Sequence, residues 1–187
     1  MMDLTRKVLN AILFNIAWLL CVNFGDTVAV ITCIIVLAVH FCYISKNRKE
    51  IFLLLQVLLL GVVVDSLLIA SGVLIADAHT MLAPIWMAAL WLLFATTLNH
   101  CCAWLQPIAV THSKNNDKTK PDYMAWLLVA FVGAVAGPLS YWAGTNFSAM
   151  SLALPLVNSL LVISLVWALI LPLCLRLAQR HNNKINS

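Results

Sequence analysis

The run IFLLLQVLLLGVVVDSLLIASGVLI, residues 51–75, decides what kind of protein this is. As an α-helix rising 1.5 Å per residue it would reach about 37 Å, longer than the roughly 30 Å hydrocarbon core of a bilayer. Its one charged side chain is Asp65. Runs of the same kind lie on both sides, near residues 8–24, 28–44, 82–106, 123–143 and 152–176. The reading is an all-α polytopic membrane protein, a single domain over 1–187 with six transmembrane helices in one bundle. Composition agrees, since 63% of the residues are hydrophobic and 10% charged, against roughly a quarter charged in soluble domains. The longest connection, Pro107 to Asp122, leaves no room for a soluble domain.

Charge gives the orientation. With six crossings, Arg6 and Lys7, then Lys46, Arg48 and Lys49, then Lys114, Lys118 and Lys120, then Arg176, Arg180 and Lys184 all fall on one side. The opposite side carries Asp26 and Asp77. The positive-inside rule then places both termini in the cytoplasm. Basic residues spread over four short juxtamembrane segments fit contact with the bilayer and its anionic lipids rather than nucleic acid. The first span has the charged start of a secretory signal but no small-residue cleavage site, so it is expected to be retained. The six cysteines form no C-x-x-C pair and read as reduced packing residues.

Local chemistry marks the ends and the breaks. Gly25-Asp26-Thr27 is a tight turn that can cap the second helix, and Pro121-Asp122 can cap the fifth. Gly133 and Gly137 offer a small-residue surface for a close neighbour, either inside the chain or in a second copy. Pro138 and Pro172 displace the carbonyls of Ala134 and Ala168, which at membrane depth need partners. Gly61 to Gly72 and Gly133 to Gly144 share a spacing that suggests a faint duplicated hairpin.

The candidate site residues are the polar ones at depth. A carboxylate near a helix centre costs about 2.5–3.5 kcal/mol to insert, so Asp65 needs a compensating partner or a function. Counting rise from the inner helix ends puts Thr32, Trp91 and Asn158 near its level. Thr96, Asn99, His100 and Ala103 follow at i, i+3, i+4 and i+7 and share a face of one helix. Asn15, Gln56 and His40 fall at a similar depth to His100. Asp65, Asn99 and His100 lead the site assignment, with Thr96, Asn15 and Asn158 in support. A metal or haem centre around His40, His100 and the neighbouring cysteines is set aside because no ligand spacing is diagnostic, and no cofactor or metal is assigned. No nucleophile elbow, H-E-x-x-H or phosphate loop occurs, which leans away from an enzyme.

Three segments together, Leu60-Gly61 through Leu68, Leu82-Ala83-Pro84-Ile85-Trp86 through Asn99-His100, and Gly137-Pro138-Leu139-Ser140-Tyr141, resemble the bacterial inner-membrane family catalogued as domain of unknown function 2878. The resemblance implies a multi-pass protein of the bacterial cytoplasmic membrane and transfers no activity. The leading expectation is a binding or transport component for a small solute, ion or amphiphile, resembling in architecture the small membrane subunits of vitamin importers. A lipid-modifying enzyme or its accessory subunit is the alternative, and an envelope scaffold without ligand is the third. A homo-oligomer or a membrane partner subunit is compatible with each.

Overall fold

A computed structural model describes residues 4–45, 47–76, 81–108, 123–147 and 150–186. Its elements are α1 (Leu4–Val39), a π-helical turn (His40–Ile44), α2 (Glu50–Ala70), β1 (Leu74–Ala76), α3 (Ile85–Leu98), α4 (Leu105–Ile108), α5 (Tyr123–Thr145), β2 (Met150–Leu152) and α6 (Leu156–Asn186). Four helices are long and apolar enough to cross a bilayer, and α3 is a shorter apolar one. Large hydrophobic side chains such as Ile34, Leu59, Phe131 and Leu165 point outward. Hydrocarbon, unlike water, imposes no cost on such a surface.

The first helix is folded in two. Gly25 leaves helical geometry with φ of 71°, a conformation that a side chain would disfavour. The contacts of the two arms give the direction of the bend. Asn10, on the first arm, donates to the Thr96 carbonyl oxygen at 3.3 Å, and His40, ending the second, packs edge-on against His100 at 4.8 Å between ring centres. Both arms therefore reach the same end of α3, and the chain reverses at Gly25. Asp26 does not cap its own helix as the sequence suggests. Its Oδ1 accepts the Trp86 backbone N–H at 2.9 Å and so caps α3.

Other boundaries differ from those read in the sequence. The third apolar run leaves the helix after Ala70, and the fourth is helical only from Ile85 to Leu98. The sixth extends to Asn186. Gly72 turns the chain with φ of 71°, and Leu74–Ala76 then pairs antiparallel with Met150–Leu152. This two-stranded ribbon corrects the purely helical expectation. Three-residue apolar strands carry no periodicity that separates them from a helix end.

The ribbon exposes a duplication. Its central pair is Ile75 and Ser151. Asp65 and Tyr141, joined by a hydrogen bond, are 76 residues apart. The same separation relates Ile75 to Ser151, Gly61 to Gly137 and Trp91 to Trp167, whose indoles stack at 5.2 Å and 13°. In each half the glycine receives the ring of its own tryptophan: a Cβ at Gly61 would fall inside the Trp91 ring, and one at Gly137 inside the Trp167 ring. Contacts between equivalent residues must straddle the relating axis. The units α2–β1–α3 and α5–β2–α6 are thus arranged about an approximate two-fold, with the α1 hairpin packed against α3. The true register is 76 residues, in place of the Gly61–Gly133 alignment that the sequence suggests.

Two apolar clusters complete the interior. One, near the ribbon, includes Cys21, Ala29, Leu74, Trp86 and Met150. The other, at the opposite end, joins Leu53, Leu98, Leu105, Leu175 and Ala178. The six cysteines are unpaired and three are buried, in keeping with packing roles.

Candidate functional site

Asp65 lies on the axis of the duplication, one helical turn beyond Gly61, and is 1% exposed. The missing Cβ at Gly61 lets Trp91 approach α2 closely enough for its Nε1–H to donate to Asp65 Oδ2 at 2.7 Å. The Tyr141 hydroxyl, from α5, donates to Oδ1. Each carboxylate oxygen therefore accepts one hydrogen bond, which offsets part of the cost of burying the group. Trp91 was among the partners expected from depth. Thr32 is buried on α1 but makes no hydrogen bond among those found for Asp65, and Asn158 is exposed near the start of α6. Depth along the normal constrains only one coordinate, and helix rotation turned both away.

Beside Asp65 is a small pocket of about 70 Å³. Its lining includes six aromatic rings, from Trp18, Trp86, Trp91, Phe94, Tyr141 and Trp167, and one carboxylate, Asp65. Trp167 stacks on Trp91, yet its indole N–H is buried near the Tyr141 hydroxyl without a hydrogen bond of normal geometry among the described residues. The break at Pro138 adds nothing to this pocket. Its displaced carbonyl, on Ala134, accepts the Ser164 hydroxyl at 2.8 Å.

A second polar centre occupies the opposite end of the helices. Glu50, the first residue of α2, is 3% exposed and faces two histidines. His40 Nε2 lies 3.2 Å from Oε2, and His100 Nε2 lies 3.1 Å from each oxygen. Asn99 Nδ2 donates to Oε1 at 3.1 Å, while Asn99 Oδ1 accepts amide donors from Gln106 and Asn182, both at 2.9 Å. His40 opens the π-helical turn. Such turns are rare and concentrate at functional sites.

The predicted stripe on span four is reorganised. Since α3 ends at Leu98, Asn99 and His100 belong to a turn instead of a continued helical face. Thr96 is buried, donates to the Leu93 carbonyl at 2.7 Å, and lies beside the Asn10 amide. Asn10 Oδ1 in turn accepts the Cys101 N–H at 3.3 Å. The inward asparagine of the first arm is thus Asn10. Asn15 is exposed and donates back to the Ala11 carbonyl. A difference of five residues rotates a side chain by well over a quarter turn on a helix of 3.6 residues per turn.

Glu50, Tyr141 and Asn10 were missed from the sequence. The apolar run at 51–75 leaves Glu50 just outside it, and nothing in the sequence pattern singles out Tyr141 or Asn10. One signal was available: a lone acid at the mouth of an apolar span, flanked by Lys49, with histidines at the ends of two other spans.

Comparison with curated proteins and with solved structures finds no significant match. The family model described as "Protein of unknown function (DUF2878)" matches residues 7–113 and 123–173. The chain belongs to that family.

Proposed function

We propose that this DUF2878 member crosses the membrane six times and serves as a binding or transport component for a small amphiphile bearing an organic cation, held at Asp65. The crossing count is supported by the reversal at Gly25, which makes two arms, 4–24 and 26–44, each about 30 Å long. It is also supported by the paired hairpins α2–α3 and α5–α6. Arg6, Arg48, Lys49, Arg176 and Arg180 then share one side, and the positive-inside rule makes that side cytoplasmic. The corresponding setting is a bacterial cytoplasmic membrane, with anionic lipids as partners of the basic end.

The single observation that carries the ligand class is the pocket lining, six aromatic rings with one carboxylate. Aromatic faces attract cations, most strongly when water is excluded, and Asp65 supplies the counter-charge. Its place on the two-fold between repeats is where transporters built from parallel repeats hold their substrates. The Trp167 N–H offers a further donor to a ligand oxygen.

Titration of the detergent-purified protein with a long-chain primary amine and with the matching alcohol, followed by tryptophan fluorescence, tests this reading. The amine is expected to give a saturable change that Asp65→Asn abolishes. Equal responses to amine and alcohol, or an unchanged amine response in the variant, would overturn it. The lipid-enzyme alternative draws its support from the acid and two histidines at the opposite end. Unaltered lipid extracts from a deletion strain would count against it.

A further inference from the structure

The cluster of His40, Glu50 and His100 is independent of the Asp65 pocket, and its geometry points to a divalent transition-metal site. We propose that these three side chains bind one first-row dication, with zinc the expected occupant. One donor atom from each of the three lies within 4.8 Å of the others. Two zinc bonds of about 2.1 Å at a tetrahedral angle separate their ligand atoms by about 3.4 Å. The nitrogen-to-oxygen distances here, 3.1 and 3.2 Å, already match that separation. A cation between the side chains would replace the contacts of Glu50 with the two imidazoles and draw the three donor atoms, now within 4.8 Å of one another, closer together.

The donor set selects the metal. Two imidazole nitrogens and a carboxylate suit zinc or iron(II), whereas magnesium and calcium prefer oxygen alone. Three protein ligands leave at least one coordination position open. Burial supplies the driving force, since the three residues are 0%, 3% and 4% exposed in chain order. A buried carboxylate faced by two imidazole nitrogens offers three donor atoms to one dication, whose charge would offset that of Glu50. Outside the ligands, Asn99 donates to Glu50 Oε1 and is itself fixed by Gln106 and Asn182. Outer hydrogen bonds of this kind orient a metal-bound carboxylate.

The duplication shows that the fold does not require this cluster. The positions equivalent to Glu50 and His100 in the second repeat are Trp126 and Arg176. There the guanidinium sits over the indole at 4.5 Å, closing the same junction without a ligating group. The acid and histidine are thus a feature of one repeat alone, joined by His40 from the α1 hairpin.

The test uses full-length protein purified through a tag free of histidine, loaded with zinc, desalted and assayed for bound metal. About one zinc per chain is expected, falling to background in Glu50→Gln and in His40→Ala with His100→Ala. A strong chelator should lower the melting temperature of the parent and leave that of Glu50→Gln unchanged. Asn99→Ala, outside the ligands, should weaken zinc binding about 10–100-fold while the protein stays folded. Stoichiometric iron or manganese in place of zinc, lost in the same variants, would support the site and correct the metal. Zinc retained equally by all variants, or a parent whose metal content and melting temperature match those of Glu50→Gln, would overturn the proposal.

Discussion

The two repeats use the same frame for different chemistry. In α2–β1–α3 the frame presents Asp65 and Glu50, and at the equivalent places in α5–β2–α6 it presents Tyr141 and Trp126. Shared between them are the glycine that admits a tryptophan, the tryptophan itself, and a strand that meets its twin. Positions set by backbone approach are thus common to both halves, while positions that carry charge diverge. On the axis the divergence is productive. Two aspartates there would repel, whereas one acid and one phenol make a satisfied pair.

The largest expected effect comes from breaking the shared part. Gly61→Ala and Gly137→Ala each put a methyl group inside an indole ring, and each should cost about 1–3 kcal/mol or more in detergent unfolding experiments. If the frame is truly common, the two losses should be similar. A Gly137→Ala variant as stable as the parent would show that the halves pack by different rules.

Next in size is the pair on the axis. Tyr141→Phe removes one donor from a buried carboxylate and should cost about 1.5–3 kcal/mol. Exchange sharpens the comparison: Asp65→Tyr alone should be severely destabilising, while the double variant Asp65→Tyr/Tyr141→Asp should recover part of the loss. In the exchanged protein Trp167 would be placed to donate as Trp91 does now. Failure of the double variant to exceed the single one in melting temperature would mean that the two sides of the axis are not equivalent.

A smaller effect distinguishes the halves directly. Prolines inside the long helices occur only in the second repeat, Pro138 in α5 and Pro172 in α6, and Ser164 satisfies the carbonyl that Pro138 displaces. Ser164→Ala should cost about 0.6–1.7 kcal/mol. Because that hydroxyl acts only in the second repeat, Ala88→Ser at the equivalent place in α3 should give no matching gain. The smallest change expected is at the exposed junction, where Arg176→Gln removes a cation–π contact worth about 0.5–1 kcal/mol. Glu50→Gln should shift stability more than Arg176→Gln, since Glu50 is buried and contacted by three side chains.

Much of this frame could be read in the chain, and the reasons for the remainder are specific. Apolar length predicts helices at 51–75 and 123–143, of which the first ends early, at Ala70, and Pro138 by its missing N–H frees a carbonyl that Ser164 satisfies. The four-residue error in the repeat register arose because Gly61 aligns with Gly133 as well as with Gly137 in an apolar background. Only packing against Trp91 and Trp167 separates the two choices. Asp65 drew notice because a charge at depth is costly wherever its helix faces. Depth alone singles out Asn158 and Asn15, and both are exposed. Glu50 went unnoticed because its meaning depends on His100, 50 residues away.

By itself the sequence determined the solvent. Long uncharged runs must form helices in hydrocarbon, because each backbone polar group there has to find its partner within the segment. It also marked the reversal at Gly25, since a glycine acts on its own backbone. Tertiary structure alone decided that Asp65 meets Tyr141, that Glu50 sits between two histidines, and that the halves are related by 76 residues. Such meetings depend on the rotation and register of one helix against another, which are set by the close packing of many weak contacts and leave no local mark.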